Sequence, residues 1–335
     1  MSRSPSLSVL VPARDAGRFL EPCLRSIARQ TETDWECVVV DDRSSDDTAA
    51  IVARFGRTDP RFRLLRNPGA GIVDALRAGA AECRGAIVAR MDADDVMARR
   101  RLERQRAALD ADPALAGCGT HVRMFPRRTM RAGSRAYESW LLTIATSDEV
   151  RREAFVECPI AHPTLAVRAE LLRTDGYRDV DWPEDYDLVL RWLAAGRRFC
   201  VIPERLVAWR RHPHMTSVRD PRYGIDRFVE CKAEHLTATF LSRFDAYALW
   251  GYGSTARALR GALLRRGREA AVVVDVHPRR VGQRIGGAPV IAPESLGRPA
   301  MPLVVSVAGA PARALIRRFL AGRGYVDGEH FVCAA

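Results

Sequence analysis

Three apolar runs in the first third of the chain each break off into polar residues. Leu7-Ser8-Val9-Leu10-Val11 leads into Pro12-Ala13-Arg14-Asp15, and Trp35-Glu36-Cys37-Val38-Val39-Val40 into Asp41-Asp42-Arg43-Ser44-Ser45-Asp46-Asp47-Thr48. The third, Ala86 to Met91, leads into Asp92-Ala93-Asp94-Asp95. Helical patterns separate the runs, over Phe19 to Gln30, Asp47 to Phe55 and Ile72 to Cys83, with a short strand at Phe62 to Leu65. Strands alternating with helices imply an α/β fold with a parallel sheet and right-handed crossovers. Ligands of such sheets bind outside the carboxyl ends of the strands, so the three polar ends are expected to converge on one crevice.

The last of these ends says most about chemistry. Carboxylates crowded within a few ångströms raise one another's pKa, and a site that keeps them ionised at neutral pH usually holds Mg²⁺ or Mn²⁺. A hard ion on two carboxylates in turn suggests a substrate that carries phosphate. The competing reading is an acidic turn in which Asp94 or Asp95 is the N-cap of the following helix.

Length and charge narrow the class. The 335 residues suffice for two domains, and 47% hydrophobic residues describe a globular protein that buries real cores. No apolar run approaches the ~20 residues that span a bilayer, and the N-terminus is not a signal peptide, so a cytoplasmic location is expected. The eight cysteines show neither Cys-x-x-Cys nor zinc spacing and read as small buried apolar residues in a reducing compartment. The net charge of +12 suits an acidic partner: a nucleotide sugar, an anionic membrane face met peripherally, or nucleic acid. Nucleic acid is disfavoured, because the basic residues lack interleaved aromatics and no nucleic-acid-binding motif is present. The arginine run from Ala98 to Arg106 reads as a solvated helical face.

From about Pro113 to Arg219 the pattern is less regular and richer in aromatic and loop residues, as an acceptor-binding half would be. A helical stretch, Gly224 to Ser242, then leads to a second alternation. There Ala246 to Trp250 is a strand, Gly251-Tyr252-Gly253-Ser254 a turn and Thr255 to Arg266 a helix. Ala271 to Asp275 and Leu303 to Val307 follow as strands, and Pro311 to Leu320 as a helix.

In order and spacing, residues 7 to about 217 resemble the family 2 inverting glycosyltransferases, which have the nucleotide-diphospho-sugar-binding GT-A fold. The matching pieces are Val11 to Asp15, Val38 to Thr48, Asn67-Pro68-Gly69-Ala70-Gly71-Ile72, Met91 to Asp95, and Trp182-Pro183-Glu184-Asp185-Tyr186-Asp187-Leu188. Any one is a weak signal, but five in order are specific. The expected division is a GT-A domain over 1–222, a helical linker over 223–244 and a small Rossmann-like α/β domain over 245–335.

The resemblance implies roles at matched positions. Asp41 would hydrogen-bond the nucleotide base, with Pro12, Ala13 and Asp15 lining the same pocket; a turn carboxylate capping the helix near Asp46 is the alternative. Asp94 would hold the Mg²⁺ or Mn²⁺ that bridges the two phosphates, with Asp92 beside it facing the ribose or sugar and Asp95 in support. Asp185 would be the base that takes the proton from the attacking hydroxyl, against the alternative that these acids merely favour a helix N-terminus. Glu184 and His162 fall in the acceptor region, His162 having a structural hydrogen-bonding role as its alternative. His212 matches a histidine that in some relatives contacts the metal or diphosphate, with His214 as competitor; Arg210 and Arg211 would face the diphosphate or solvent. Two departures stand out: Arg77 replaces a common asparagine and is expected to alter donor contacts, and Asp42-Arg43-Ser44 replaces aspartate-glycine-serine.

The C-terminal domain is similar to small Rossmann-like domains attached to some sugar-modifying acyltransferases and methyltransferases. There Gly251, Gly253 and Asp275 form part of a dinucleotide fingerprint, with a structural or docking role as the alternative. The expected activity is metal-dependent transfer of a sugar from a nucleotide-diphosphate donor to a glycan or lipid-linked acceptor hydroxyl, in surface glycan or polysaccharide synthesis. The competing readings are a nucleotidyltransferase, whose glycine-rich, lysine-containing N-terminal loop is absent here, and a non-catalytic nucleotide-sugar sensor or scaffold.

Overall fold

The structure is a computed structural model and describes residues 4–335. The apolar runs form β1 (Leu7–Ala13), β2 (Trp35–Asp41), β3 (Phe62–Arg66) and β4 (Ile87–Arg90), joined by α1 (Gly17–Ala28), α2 (Thr48–Thr58) and α3 (Gly71–Glu82). β1, β2 and β4 are buried along their whole length, as parallel strands covered on both faces must be. Next come β5 (Val96–Met97), α4 (Arg101–Ala111), β6 (Leu115–Phe125), α5 (Ala132–Leu141), α6 (Ser147–Glu153), β7 (Ala166–Arg168) and α7 (Ala169–Thr174). α8 (Glu184–Ala194) and β8 (Arg198–Arg210) complete this half. All eight strands lie in one mixed sheet, in the order β3-β2-β1-β4-β7-β6-β8-β5.

Contacts divide the chain into two compact units. The first contains the described residues up to 150, with 160–179 and 195–215; the second contains 151–159, 180–194 and 216–335. A division by contacts therefore cuts the chain otherwise than a division by order at 222 and 244.

In the first unit β1 is a switch point. It pairs in parallel with β2, from Leu7↔Trp35 to Ala13↔Asp41, and on its other side with β4, where Leu10 faces Arg90. The ends carrying Ala13, Asp41 and Asp92 are thus neighbours, as the alternation of strands and helices predicts. α1 seals one face with Leu20, Leu24 and Ile27, which pack with Val9, Val11, Cys37 and Val39.

Two expectations need correction. The region from Pro113 onward is not irregular: β6 and β8, of 11 and 13 residues, are its backbone and run parallel, Phe125 reaching Arg210. The strand signal is hidden because Gly117 and Gly119 stand where a Cβ would come within 2.7 Å of Ala166 O and of Ile160 Cγ2, and because register shifts disturb the alternation. Nor is the arginine run wholly solvated. Arg99 and Arg100 are exposed, but Arg101 is fully buried, donating to Gln105 Oε1 (2.9 Å) and to the Arg90 carbonyl (2.7 Å).

In the second unit, α9 (Thr216–Arg219) and α10 (Ile225–Ala238) precede β9 (Ala246–Trp250), α11 (Ser254–Arg265), β10 (Glu269–Val274), β11 (Arg284–Ile285) and β12 (Ala288–Ile291). β13 (Leu303–Val305), α12 (Ala310–Ala321) and β14 (Phe331–Cys333) end the chain. The sheet order is β11-β12-β10-β9-β13-β14, parallel except for β11 against β12. α10 buries Val229, Ala233 and Leu236 in the core of this sheet and Cys231 in a cluster with Tyr186, Val189 and Leu190 of α8. All eight thiols are free, and all but the half-buried Cys200 are buried. Among the described residues no helix is long and apolar enough to cross a membrane.

α8 and α10 are joined by a polar network inside that unit. Asp187, 3% exposed, accepts from His235 Nε2 (3.0 Å), Arg191 Nε (2.8 Å) and Trp182 Nε1 (3.2 Å). Burial alone would push its carboxyl up, but the bonds from His235, then Arg191 and Trp182, outweigh it and hold it at about 2. A carboxyl depressed from an ordinary 3.8 to about 2 contributes on the order of 2 kcal/mol, present above about pH 4 and lost as the pH falls through 2. Asp187→Asn is accordingly expected to lower stability at pH 7 by about 2 kcal/mol and to cost much less at pH 2, read by urea denaturation at both pH values. An equal loss at both would show that the network does not act through this charge.

Candidate active site

The first two strand ends are laced together. Asp15, at φ 47°, accepts from Ser45 N (2.8 Å) and Ser45 Oγ (3.0 Å), while its own N–H donates to Ser44 Oγ (2.9 Å). Asp41, 7% exposed, accepts from Ser44 N (3.2 Å). That bond closes its own turn: α2 starts with Asp47 as N-cap, so Asp41 does not cap it. Pro12 and Ala13 are buried in β1, and the Ala13 carbonyl accepts from Asp42 N (2.8 Å). The structural carboxylate here is Asp42, which accepts from Asn67 Nδ2 (2.7 Å) and Gly71 N (3.0 Å) and so fastens the loop before α3. Arg43 takes φ 57°, the left-handed region that the commoner glycine enters without strain. Arg77, exposed on α3, donates through Nε to the Tyr177 carbonyl (2.9 Å).

At the third strand end Asp92, Asp94 and Asp95 bring carboxylate oxygens within 4.8 Å of one another. They are not helix caps, since α4 begins at Arg101 after β5. β5 pairs antiparallel with β8, Val96↔Ala208 and Met97↔Val207, and this carries the far end of β8 to the cluster. There Arg210 N donates to Asp95 Oδ1 (2.6 Å) and Arg210 Nε to the Asp94 carbonyl (2.7 Å), with the guanidinium lodged between the Phe19 and Phe125 rings. His212 Nε2 lies 2.8 Å from Asp94 Oδ2, and His212 Nδ1 accepts from the His214 N–H (3.2 Å). These two bonds assign the proton to Nε2. Asp92 pairs with the buried Arg90 at 2.5 Å. Burial, then the charges of Asp92 and Asp94, push the Asp95 carboxyl well up; burial and Asp92 push Asp94 up, against the bond from His212.

Arg90 and Arg210 are the residues that sequence reasoning missed or misplaced. The signal for Arg90 is an arginine at the last position of an apolar strand, immediately before the acids. Arg210 was expected to face phosphate or solvent; it is instead a brace for the acidic turn. Arg211 is half-buried over the Trp209 ring, and burial lowers its pKa. His162 is buried, with Nε2 2.7 Å from Tyr177 Oη, and burial together with the Arg90 charge holds its pKa well below the usual value.

The remaining candidates lie in the second unit. Glu184, Asp185 and Asp187 all fall in the first turn of α8. Glu184 is fully buried with Tyr223 Oη 2.8 Å from both its oxygens, and the half-buried Asp185 accepts from Tyr186 N (2.8 Å). Gly251 and Gly253 follow β9, and Asp275 follows β10.

Residues 8–174 match the family described as Glycosyl transferase family 2. The chain carries a family 2 glycosyltransferase domain. Its relatives include an uncharacterized glycosyltransferase of Haemophilus influenzae, 26% identical over 65% of this chain and 69% of that one. Another is the putative glycosyltransferase EpsE of Bacillus subtilis, 28% identical over 68% and 81%. A third is the amylovoran biosynthesis glycosyltransferase AmsE of Erwinia amylovora, 28% identical over 60% and 73%. The fold is shared with S. aureus TarS in complex with UDP-GlcNAc (TM-score 0.58, 17% identity, 78% of this chain and 72% of that one). It is shared also with the mannosyltransferase PcManGT of Pyrobaculum calidifontis in complex with GDP-Man and Mn²⁺ (TM-score 0.53, 21% identity, 79% and 70%).

The acidic turn of the family 2 domain fits a divalent cation on two observations. Its donors are carboxylate oxygens, the ligand type that Mg²⁺ and Mn²⁺ take. Asp95 Oδ2 is buried and has no hydrogen-bond partner, an acceptor that is costly to leave alone. Mn²⁺ at a hundred times its Kd is therefore expected to stabilise the native protein by about 2.7 kcal/mol. Differential scanning fluorimetry reads this as a rise in melting temperature that Asp94→Ala loses; an undiminished rise in that variant would remove Asp94 from the cation site.

Proposed function

We propose that this family 2 glycosyltransferase is a metal-dependent, inverting enzyme that moves a sugar from a nucleoside-diphosphate donor to a glycan or lipid-linked acceptor hydroxyl, in polysaccharide synthesis. The observation that carries the reading is the crowded acidic turn of Asp92, Asp94 and Asp95 with its unpartnered oxygen. Three carboxylates at one turn are tolerable when a cation sits among them, and the leaving group of this chemistry is a diphosphate. The relatives agree in kind: one is named for amylovoran biosynthesis, and the two structural neighbours hold UDP-GlcNAc and GDP-Man, the latter with Mn²⁺.

A bound Mg²⁺ or Mn²⁺ would neutralise the charge that develops on the departing diphosphate. Asp94 would hold it, with Asp92 beside it, Asp95 behind, and His212 setting the orientation of the Asp94 carboxylate. Asp41 accepts a hydrogen bond from the base, in a pocket whose walls are Pro12, Ala13 and Asp15. The lacing of Asp15 to Ser44 and Ser45 supports this assignment, because it makes the pocket rigid before the donor arrives. Asp185 takes the proton from the acceptor hydroxyl as that oxygen attacks the anomeric carbon, so the configuration inverts as the nucleoside diphosphate leaves. Glu184 and His162 are assigned to the acceptor region, each held by a tyrosine hydroxyl, Tyr223 and Tyr177 respectively.

A mass-spectrometric screen of nucleoside diphosphate release identifies the donor. With it, Asp185→Asn is expected to lower turnover by about 10²- to 10⁴-fold while donor affinity stays within about twofold. Turnover equal to wild type would eliminate Asp185 as the base, and release of no nucleotide from any donor by the wild-type protein would favour a sensor or scaffold.

A further inference from the structure

The transferase reading leaves the C-terminal sheet without a task, and that sheet contains a formed cavity. β9 lies between β10 and β13 and is parallel to both. The chain proceeds from β9 through α11 to β10 on one side and reaches β13 on the other, so the carboxyl ends at β9 form a switch-point crevice. A cavity of about 930 Å³ opens at those ends, lined by Gly251 to Thr255, Ser306, Val307 and one face of α12. Small-molecule sites span roughly 300–1,000 Å³.

The residues around it point to an anion with an apolar body. Gly251 has φ +91°, and a Cβ there would come within 2.6 Å of Val307 Cγ2, so the turn demands glycine. Gly253 is the N-cap of the 12-residue α11, and it has no side chain to accept from the first-turn N–H groups. A Cβ on Gly253 would meet nothing within 4 Å, so the side-chain position at that helix end is open. Ser306, at the end of β13, is 4% exposed, lines the cavity, and its Oγ has no hydrogen-bond partner. A buried hydroxyl without a partner is a donor waiting for an acceptor. Val276 and Leu315, 74% and 60% exposed, give the cavity an apolar wall that protein leaves uncovered.

Asp275, which follows β10, is engaged within the protein. Its Oδ1 accepts from His277 N (2.8 Å) and its Oδ2 from Arg280 Nη1 (2.8 Å), so it braces an arginine at the rim.

We propose that the C-terminal sheet carries a second nucleotide site: a diphosphate on the N-terminus of α11 and the Ser306 hydroxyl, and the base against Val276 and Leu315. The uncapped helix end supplies the N–H donors and partial positive charge that phosphate oxygens accept. The site needs no cation, which sets it apart from the acidic turn of the family 2 domain.

Calorimetry of the full chain in EDTA, with ADP, UDP and NAD as probes, tests this. The wild-type protein is expected to take up one equivalent of at least one probe; NAD alone would specify a dinucleotide. Gly253→Asp places a carboxylate over the same N–H groups, and aspartate is a favourable N-cap at this ordinary φ of −77°. It is expected to weaken binding by at least about tenfold with an unchanged or higher melting temperature. Ser306→Ala is expected to weaken it by about tenfold or more, the loss of one hydrogen bond to a charged group. Any heat from the donor pocket is what Asp41→Ala, in the family 2 domain, removes; the equivalent that Gly253→Asp weakens persists in it. No heat with any probe, wild-type affinity in Gly253→Asp, or loss in Asp41→Ala of the Gly253-dependent equivalent would each overturn the proposal.

Discussion

The acidic turn depends on one hydrogen bond, from Arg210 N to Asp95 Oδ1 at 2.6 Å, across 115 residues of chain. Three carboxylates following β4 repel one another, and Asp95 is fully buried among them. A free loop would relieve this by spreading. Here it is prevented at both ends: β4 is locked into the sheet beside β1, and β5, directly after the turn, is paired to β8. The far end of β8 then returns stabilisation to the same turn, through its backbone N–H on Asp95, the Arg210 guanidinium on the Asp94 carbonyl and His212 on the Asp94 carboxylate. Repulsion that is held in place rather than relaxed is what prepares a set of oxygens for a cation.

The same economy governs the first two strand ends, where the strain is in the backbone. Asp15 and Arg43 both take left-handed φ values, each costing on the order of 1 kcal/mol for a non-glycine residue. Their positions are set by partners, Asp15 by Ser44 and Ser45, and the segment around Arg43 by Asp41 and Asp42. Because Asp42 commits its buried carboxylate to Asn67 and Gly71, the adjacent Asp41 keeps only the contact of its own turn, with Ser44 N. Two neighbouring aspartates that look interchangeable in sequence thus have separate tasks.

This separation marks the limit of what the sequence reveals. β1, β2, β4 and the helices between them are legible because their apolar runs are long and covered on both faces, so period and composition agree. β6 and β8 are not, because close approach of neighbouring backbone imposes glycines and because β8 carries charged residues such as Arg198, Glu204 and Arg205 along its outer positions. Arg101 is misread for the opposite reason: its neighbours Arg99 and Arg100 are solvated, and its burial is made possible by the Arg90 carbonyl and Met91 Sδ together with Gln105, one turn along the same helix. His212 could be placed beside the acids by motif order alone, but the tie that fixes it, β5 on β8, is only two residues long and leaves no periodic trace.

The first turn of α8 sharpens the choice between a dipole effect and a chemical role for its three acids. If they served only the helix dipole, their carboxylates would have no reason to differ in environment. They differ strongly. Glu184 is sealed against the Tyr223 hydroxyl, and Asp187 is sealed against His235, Arg191 and Trp182. Both therefore anchor the turn from inside the unit, where an ionised group must be satisfied by protein alone. Asp185, between them, is half-buried and is held by the N–H of the next residue. Of the three acids only Asp185 is left partly open, and that difference in accessibility is what makes it, and not Glu184 or Asp187, the residue proposed as the base.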